Sequence, residues 1–235
     1  MNFTFGIVTS GNADNFISTI IDSIVKNNIP NYEIIIVGNT NIEETSNIKK
    51  IYFDENIRKD WITRKKNIIV NNAKYENIVL LHDYVTFVDG WYNGFLQFGN
   101  DFEFCITKII NNDGKRFRDY TLYPNFLDYD NYFKDNCLLP YDFKNNIKTN
   151  KYMYISGSYY IIKKHIACKY LLDESLIWGQ GEDLEYSERL QSNGVIIKCN
   201  HYSEVYLLKQ KKSCNWEKEI NEEYLNKFIN YCNEN

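Results

Sequence analysis

Two groups of residues in this sequence are spaced for chemistry. The first is a series of polar and glycine residues, each directly after an apolar run: Thr9-Ser10-Gly11, Gly38-Asn39-Thr40, Asp54 and His82-Asp83-Tyr84. If those runs are strands of one parallel sheet, these residues gather beyond its carboxyl edge. There, backbone donors and side chains converge on a ligand. The second group is Trp178-Gly179-Gln180-Gly181-Glu182-Asp183, at the start of a helical stretch. Acids at a helix start ordinarily cap it and complement its dipole. Here the glycines permit close approach, and Trp178 offers a flat face for a sugar ring. A helix N-terminus also favours the ionised form of Asp183, which suits a proton acceptor.

The elements that must position these groups can be read from periodicity. Phe3 to Thr9, Glu33 to Val37 and Asn77 to Leu81 are continuous apolar runs, as in strands buried on both faces of a parallel sheet. Lys50 to Phe53 reads as a further strand. Between them, apolar residues at 16, 17, 20, 21, 24 and 25 give a helix with one buried stripe, with Asp14 as its expected cap. Ile57 to Ala73 reads as a basic amphipathic helix whose Lys65 and Lys66 are expected on a solvated face. The alternation predicts an α/β fold with a mostly parallel central sheet flanked by helices.

The second half is mixed. Asn111-Asn112-Asp113-Gly114 signals a hairpin between Phe102 to Ile110 and Lys115 to Tyr120. Residues 121–150 have no clear period and read as a long surface excursion. Tyr152 to Ile162 reads as a strand, followed by helices over 163–171 and 183–191. Strands over 195–199 and 204–208 and a terminal helix over 216–231 complete the chain. No repeat or linker interrupts it, so one domain is expected over 1–235, with a ligand-binding half over about 1–100 and a second half over about 101–235.

Composition narrows the function classes. The chain has 235 residues, 44% hydrophobic and 25% charged, with net charge −4. That is ordinary for a globular domain and excludes general disorder. The acidic balance argues against nucleic acid as a partner. No apolar run is long enough to span a membrane. The opening Met1-Asn2-Phe3-Thr4 has no basic leader, so a cytoplasmic location is expected, in a bacterial cell or a virus-infected host cell. The six cysteines are scattered without a Cys-x-x-Cys pair and are expected to be reduced packing residues. No Gly-x-Gly-x-x-Gly or Walker loop follows the first strand, which argues against a dinucleotide cofactor.

Three patches together make the chain resemble glycosyltransferases of the GT-A fold, nearest the family 2 type. They are Glu33 to Asn39; Arg64-Lys65-Lys66-Asn67 followed by Ile78 to Val85; and Ile155-Ser156-Gly157-Ser158 with Trp178 to Glu185 and Arg189. The Trp-Gly-x-Gly-Glu-Asp segment is also similar to the acceptor loop of β-1,4-galactosyltransferases. The resemblance implies transfer of a hexose from a nucleoside-diphosphate donor, most simply UDP-linked, to an acceptor hydroxyl with inversion. The acceptor would be a glycan, glycolipid or protein. It implies Asp183 as the general base, and Trp178, Gly181 and Glu182 on the acceptor side. Donor contacts would come from Thr9, Ser10, Gly11, Asn39, Asp54, Lys66, His82, Asp83, Gly157 and Lys209. Asn39 stands where the family holds the base or ribose with an acid, and Lys66 where an Arg supports the nucleotide.

The resembled family carries an Asp-x-Asp that holds Mn²⁺ or Mg²⁺ against the donor pyrophosphate. Here it reads His82-Asp83-Tyr84, leaving Asp83 as the expected metal anchor, with His201 as a second ligand. Lys209 could offset phosphate charge instead. Arg116, Arg118 and Asp119 are candidates to line the sugar pocket, and the aromatic stretch Tyr120 to Tyr141 is a candidate glycan surface. Two other classes share the plan: a non-catalytic sugar-nucleotide or glycan-binding protein, and a nucleotidyltransferase. The first would not need Gly181-Glu182-Asp183, and the second would need a Gly- and Arg-rich loop where Ser10-Gly11-Asn12-Ala13 stands.

Overall fold

A computed structural model describes residues 1–123, 136–212 and 218–234. The chain opens with β1 (Phe3–Val8), α1 (Asp14–Lys26), β2 (Tyr32–Val37), β3 (Ile48–Ile51), α2 (Ile62–Asn72) and β4 (Asn77–His82). These strands are parallel, in the order β3-β2-β1-β4. Side chains alternate across the sheet, so each apolar run serves two cores. Phe3, Phe5 and Ile7 of β1, with Val79 and Leu81 of β4, pack against Ile17, Ile20 and Ile24 of α1. Ile78 and Leu80 pack on the opposite face with Ile69 and Val70 of α2.

The chain continues with β5 (Val85–Phe87), α3 (Trp91–Phe98), β6 (Phe104–Ile110), β7 (Thr121–Leu122), β8 (Cys137–Leu138) and α4 (Ile147–Asn150). It closes with β9 (Met153–Tyr154), β10 (Tyr159–Lys163), α5 (Lys164–Lys169), α6 (Glu182–Ser192), β11 (Ile197–Leu207) and α7 (Glu222–Glu234). The main sheet reads β3-β2-β1-β4-β10-β6-β11-β5, with β10 and β5 antiparallel, while β8-β7-β9 form a small second sheet.

The main sheet is curled. In a flat sheet β4 and β5 would lie four spacings apart, about 19 Å. Yet only Asp83 and Tyr84 join them, a reach of about 11 Å. The long strand β11 accommodates the curl with an irregularity between Asn200 and Glu204. Ser203 there donates to the Trp91 carbonyl at 2.7 Å, tying the irregularity to α3. The two strands expected over 195–199 and 204–208 are therefore one bent strand. The strand expected over 152–162 is the reverse case: it is split into β9 and β10, and the turn between them carries Ser156, Gly157 and Ser158. The hairpin turn at Asn111 to Gly114 forms, but its return limb makes only an isolated bridge from Arg116 to Ile110. Helix α7 begins at Glu222, and Trp216 lies outside the described residues. No helix among the described residues is long and apolar enough to cross a membrane. Cys105, Cys137, Cys168, Cys199 and Cys232 are unbridged.

Candidate active site

Two clefts adjoin at the carboxyl edge of the parallel strands. The first, about 220 Å³, is lined by Thr9 and Ser10 after β1, His82, Asp83 and Tyr84 after β4, Lys65 of α2, and Lys209 and Lys211 beyond β11. The second, about 250 Å³, is lined by Arg118, Tyr154, Ser156, Gly157, Ser158, Glu182, Asp183 and Lys212. His82, Tyr84, Trp178 and Lys211 border both.

At the first cleft the strand ends hold one another in place. The Thr9 hydroxyl donates to Asp83 Oδ2 at 2.7 Å and accepts from the Gly11 amide at 3.1 Å. Lys65 donates to the Thr9 carbonyl at 2.9 Å and pairs with Glu55. Gly38 sits at φ 138°, where a Cβ would overlap the Thr9 carbonyl, so only glycine lets the β2 end approach β1 this closely. The β11 end returns alongside Tyr84 through a hydrogen bond from the Leu208 amide to the Tyr84 carbonyl at 2.8 Å. This sets the ammoniums of Lys209 and Lys211 each 4.2 Å from the Tyr84 ring centre. Partial burial, with Lys209 and Arg118 nearby, lowers the Lys211 ammonium to about 8. Burial above all, then Lys66, Lys211 and Lys209, keeps His82 neutral, and its Nε2 has no hydrogen-bond partner among the described residues.

At the second cleft the carboxylate of Asp183 is oriented by three donors. Tyr154 O–H and the Gly157 amide donate to Oδ2 at 2.6 and 3.2 Å, and the Leu184 amide donates to Oδ1 at 3.0 Å. A Cβ on Gly157 would lie 3.1 Å from Asp183 Cβ, so glycine is what lets this amide reach the carboxylate. Glu182 is only 6% exposed and accepts from the Gly179 amide at 3.2 Å, bracing the loop that carries Trp178. Burial and neighbouring Asp183 raise the Glu182 carboxyl above its usual range. Trp178 itself is 57% exposed and stands at the border of the two clefts.

Helix α2 fastens that loop from below. Arg64 and Asn67 both donate to the Glu174 carboxylate, at 3.0 and 2.9 Å, and Asn67 also brackets Leu172. Lys65 and Lys66 are buried, not on a solvated face as expected. Lys66 donates to the Gly157 carbonyl at 2.6 Å and lies under the tyrosine ring of residue 160. It braces the turn between β9 and β10 and does not line either cleft; the helical phase gives that place to Lys65.

Other expected site residues lie apart. His201 and Tyr202 sit on the irregular part of β11 and line a separate cleft with Phe98 and Tyr141, so His201 is not brought to Asp83. Asn39 is exposed beside Gly11, and Asp54 Oδ1 serves its own turn by accepting from Asn56. Arg116 and Asp119 form a buried pair joined by Tyr141 O–H, so of that trio Arg118 alone reaches the cleft. Asp14 lies inside α1 and accepts from Thr40 and Asn41. Most of the stretch 120–141 lies outside the described residues. Lys211 and Tyr154 are site residues that the sequence reading does not single out; for Lys211 the cationic Lys209-Gln210-Lys211-Lys212 after the last strand is the available signal.

The donor set does not fit a resident divalent ion. Among the described residues no three His, Cys, Asp or Glu side chains group to hold one. Asp83 accepts from Thr9 and is followed by Tyr84, with Lys211 and Arg118 beside it, and Asp60 is the second acid lining the cleft.

The curled mixed sheet with its carboxyl-edge cleft is a GT-A fold. It is similar to Staphylococcus aureus TarS 1–349, with TM-score 0.55 and 13% identity over 88% of this chain and 60% of that one. It is also similar to GalNAc-T7 with UDP, GalNAc and Mn²⁺, with TM-score 0.62 and 15% identity over 91% of this chain and 46% of that one. TarS 1–349 in complex with UDP-GlcNAc gives TM-score 0.57 and 12% identity over 99% of this chain and 65% of that one. This chain thus spans less than two thirds of the length of each. No protein-family model and no curated relative matches it.

Proposed function

We propose that this chain is a glycosyltransferase that moves a sugar from a nucleoside-diphosphate donor, a UDP-hexose, to an acceptor hydroxyl with inversion. The observation that carries the reading is the junction of the two clefts at Trp178, His82, Tyr84 and Lys211, which brings Lys209 and Lys211 beside the oriented Asp183 carboxylate. The GT-A fold and its UDP-binding structural neighbours support the same reading.

In this reading the diphosphate lies in the first cleft against Ser10 and Lys211. The acceptor sugar stacks on Trp178. The acceptor oxygen attacks the anomeric carbon, the bond from that carbon to the diphosphate breaks, and its electron pair leaves with the diphosphate. Asp183 takes the hydroxyl proton, and Tyr154 with the Gly157 amide keeps its carboxylate turned to the cleft. The Mn²⁺ or Mg²⁺ expected from the resemblance finds no matching donor set among the described residues, so no step passes through it.

The test is a panel of UDP-sugars incubated with the chain, with UDP release followed over time. Release from at least one UDP-hexose, as transfer or slow hydrolysis, is expected. No release from any donor, together with no binding of UDP, would overturn the reading.

A further inference from the structure

Resting on that reading, we propose that the donor diphosphate is neutralised by Lys209 and Lys211, held on the ring of Tyr84, so that donor binding requires no divalent cation. The inference comes from one juxtaposition. The sheet curls so that the end of β11 returns beside the residue after Asp83, and the Leu208-to-Tyr84 hydrogen bond fixes the register. Two ammoniums then share one aromatic ring, each 4.2 Å from its centre.

Such a ring attracts each cation, but the two ammoniums repel one another. Arg118 adds to that repulsion, and Asp83 is the carboxylate that counters it at Lys211. Among the described residues neither ammonium has an ion-pair partner. A crowd of cations at the wall of a cleft is relieved by an anion. The groups beside it are strand ends and exposed backbone after β1, the place where an open α/β sheet receives its ligand.

Position strengthens the case. Tyr84 occupies the place where the resembled motif has its second acid. Two carboxylates with a divalent cation sum to no net charge. Asp83 with Lys209 and Lys211 sums to one positive charge. The lysine arrangement therefore opposes the diphosphate charge at least as well, and its ammoniums can donate hydrogen bonds to the leaving oxygens as the glycosidic bond breaks.

Both lysines lie beyond β11, Lys209 exposed and Lys211 half-buried, and neither belongs to the hydrophobic core, so glutamine in their place leaves the core intact. The test is calorimetric titration of UDP, and of uridine, in EDTA and in Mn²⁺. UDP affinity should agree within about twofold between the two media. Lys211→Gln and Lys209→Gln should each weaken UDP by about tenfold or more, the usual scale for losing a charge-assisted contact, and leave uridine unchanged. Lys211→Arg should restore most of the UDP affinity. UDP binding seen only with Mn²⁺, or unchanged in both glutamine variants, would overturn this inference and leave the glycosyltransferase reading standing. No UDP binding in either medium would overturn that reading, and this inference with it.

Discussion

The two adjoining clefts are built by different means. In the first, rigid strand ends and the chain returning from β11 present Lys209 and Lys211 beside Asp60 and Asp83, while Lys65 is already paired with Glu55. In the second, the start of α6 presents Glu182 and Asp183, steadied by backbone amides and a tyrosine hydroxyl. Had Asp183 and Lys211 been placed within ion-pair distance, each would have satisfied the other, and neither would be free for a ligand. Kept out of an ion pair, they would give the proposed reaction an anion-binding group and a proton-accepting group at one junction. The buried Lys66 braces the second cleft, since it holds the Gly157 carbonyl while the Gly157 amide holds Asp183.

The sharpest way to break this comparison is at the acid side. Asp183→Asn keeps the size of the side chain and loses its basicity. Turnover should fall by about 10²-fold or more while UDP affinity stays within about twofold. Equal loss of affinity in calorimetry would mean the two sides are not separate. Collapse in Glu182→Gln with near-normal Asp183→Asn would move the base by one residue.

Gly157→Ala tests the same side through geometry. The added methyl would lie 3.1 Å from Asp183 Cβ, tight enough to shift the carboxylate by a few tenths of an ångström against its donors. Turnover should drop by about tenfold, a misplacement effect, with UDP affinity unchanged. Normal turnover would show that the Gly157 contact does not matter.

Lys66 sharpens the account through pH. Burial lowers its ammonium from 10.5 to about 8, with Glu182 and Asp183 offsetting part of that. Between those values the folded chain binds fewer protons here than the unfolded chain, so stability rises with pH through the window. Relative to Lys66→Met, the wild type should gain about 3 kcal/mol of unfolding free energy between pH 8 and pH 10.5, read by denaturant titration. A pH-independent difference would contradict the burial argument.

The smallest effect is expected at Asn39, exposed beside Gly11. Asn39→Ala should weaken UDP and UDP-sugar alike by about threefold, the scale of one solvent-exposed hydrogen bond. A loss confined to the sugar-bearing ligand would move Asn39 from the nucleoside to the sugar.

How much of this was legible in the sequence follows from what is local. The runs at Phe3, Glu33 and Asn77 announced β1, β2 and β4 because strands buried on both faces are apolar throughout. The glycine and acid spacing at Gly181-Glu182-Asp183 announced the start of α6. Helix α3 was not visible, because Trp91-Tyr92-Asn93-Gly94-Phe95 shows no clean period and sits between strands. The three-residue β5 pairs with a strand more than 100 positions away, a relation no local pattern encodes. For the same reason Lys211 on Tyr84, and Tyr154 on Asp183, became visible only in three dimensions. Lys66 misled because a helix read as amphipathic buries its charges wherever a carbonyl such as that of Gly157 awaits them.

The central claim is in-line displacement between the two sides, with Asp183 opposite the leaving diphosphate. Its most direct measurement is the configuration of the first-formed sugar product from an α-linked UDP-hexose, read by proton NMR before anomers equilibrate. In-line displacement gives the β anomer. An α product would contradict it.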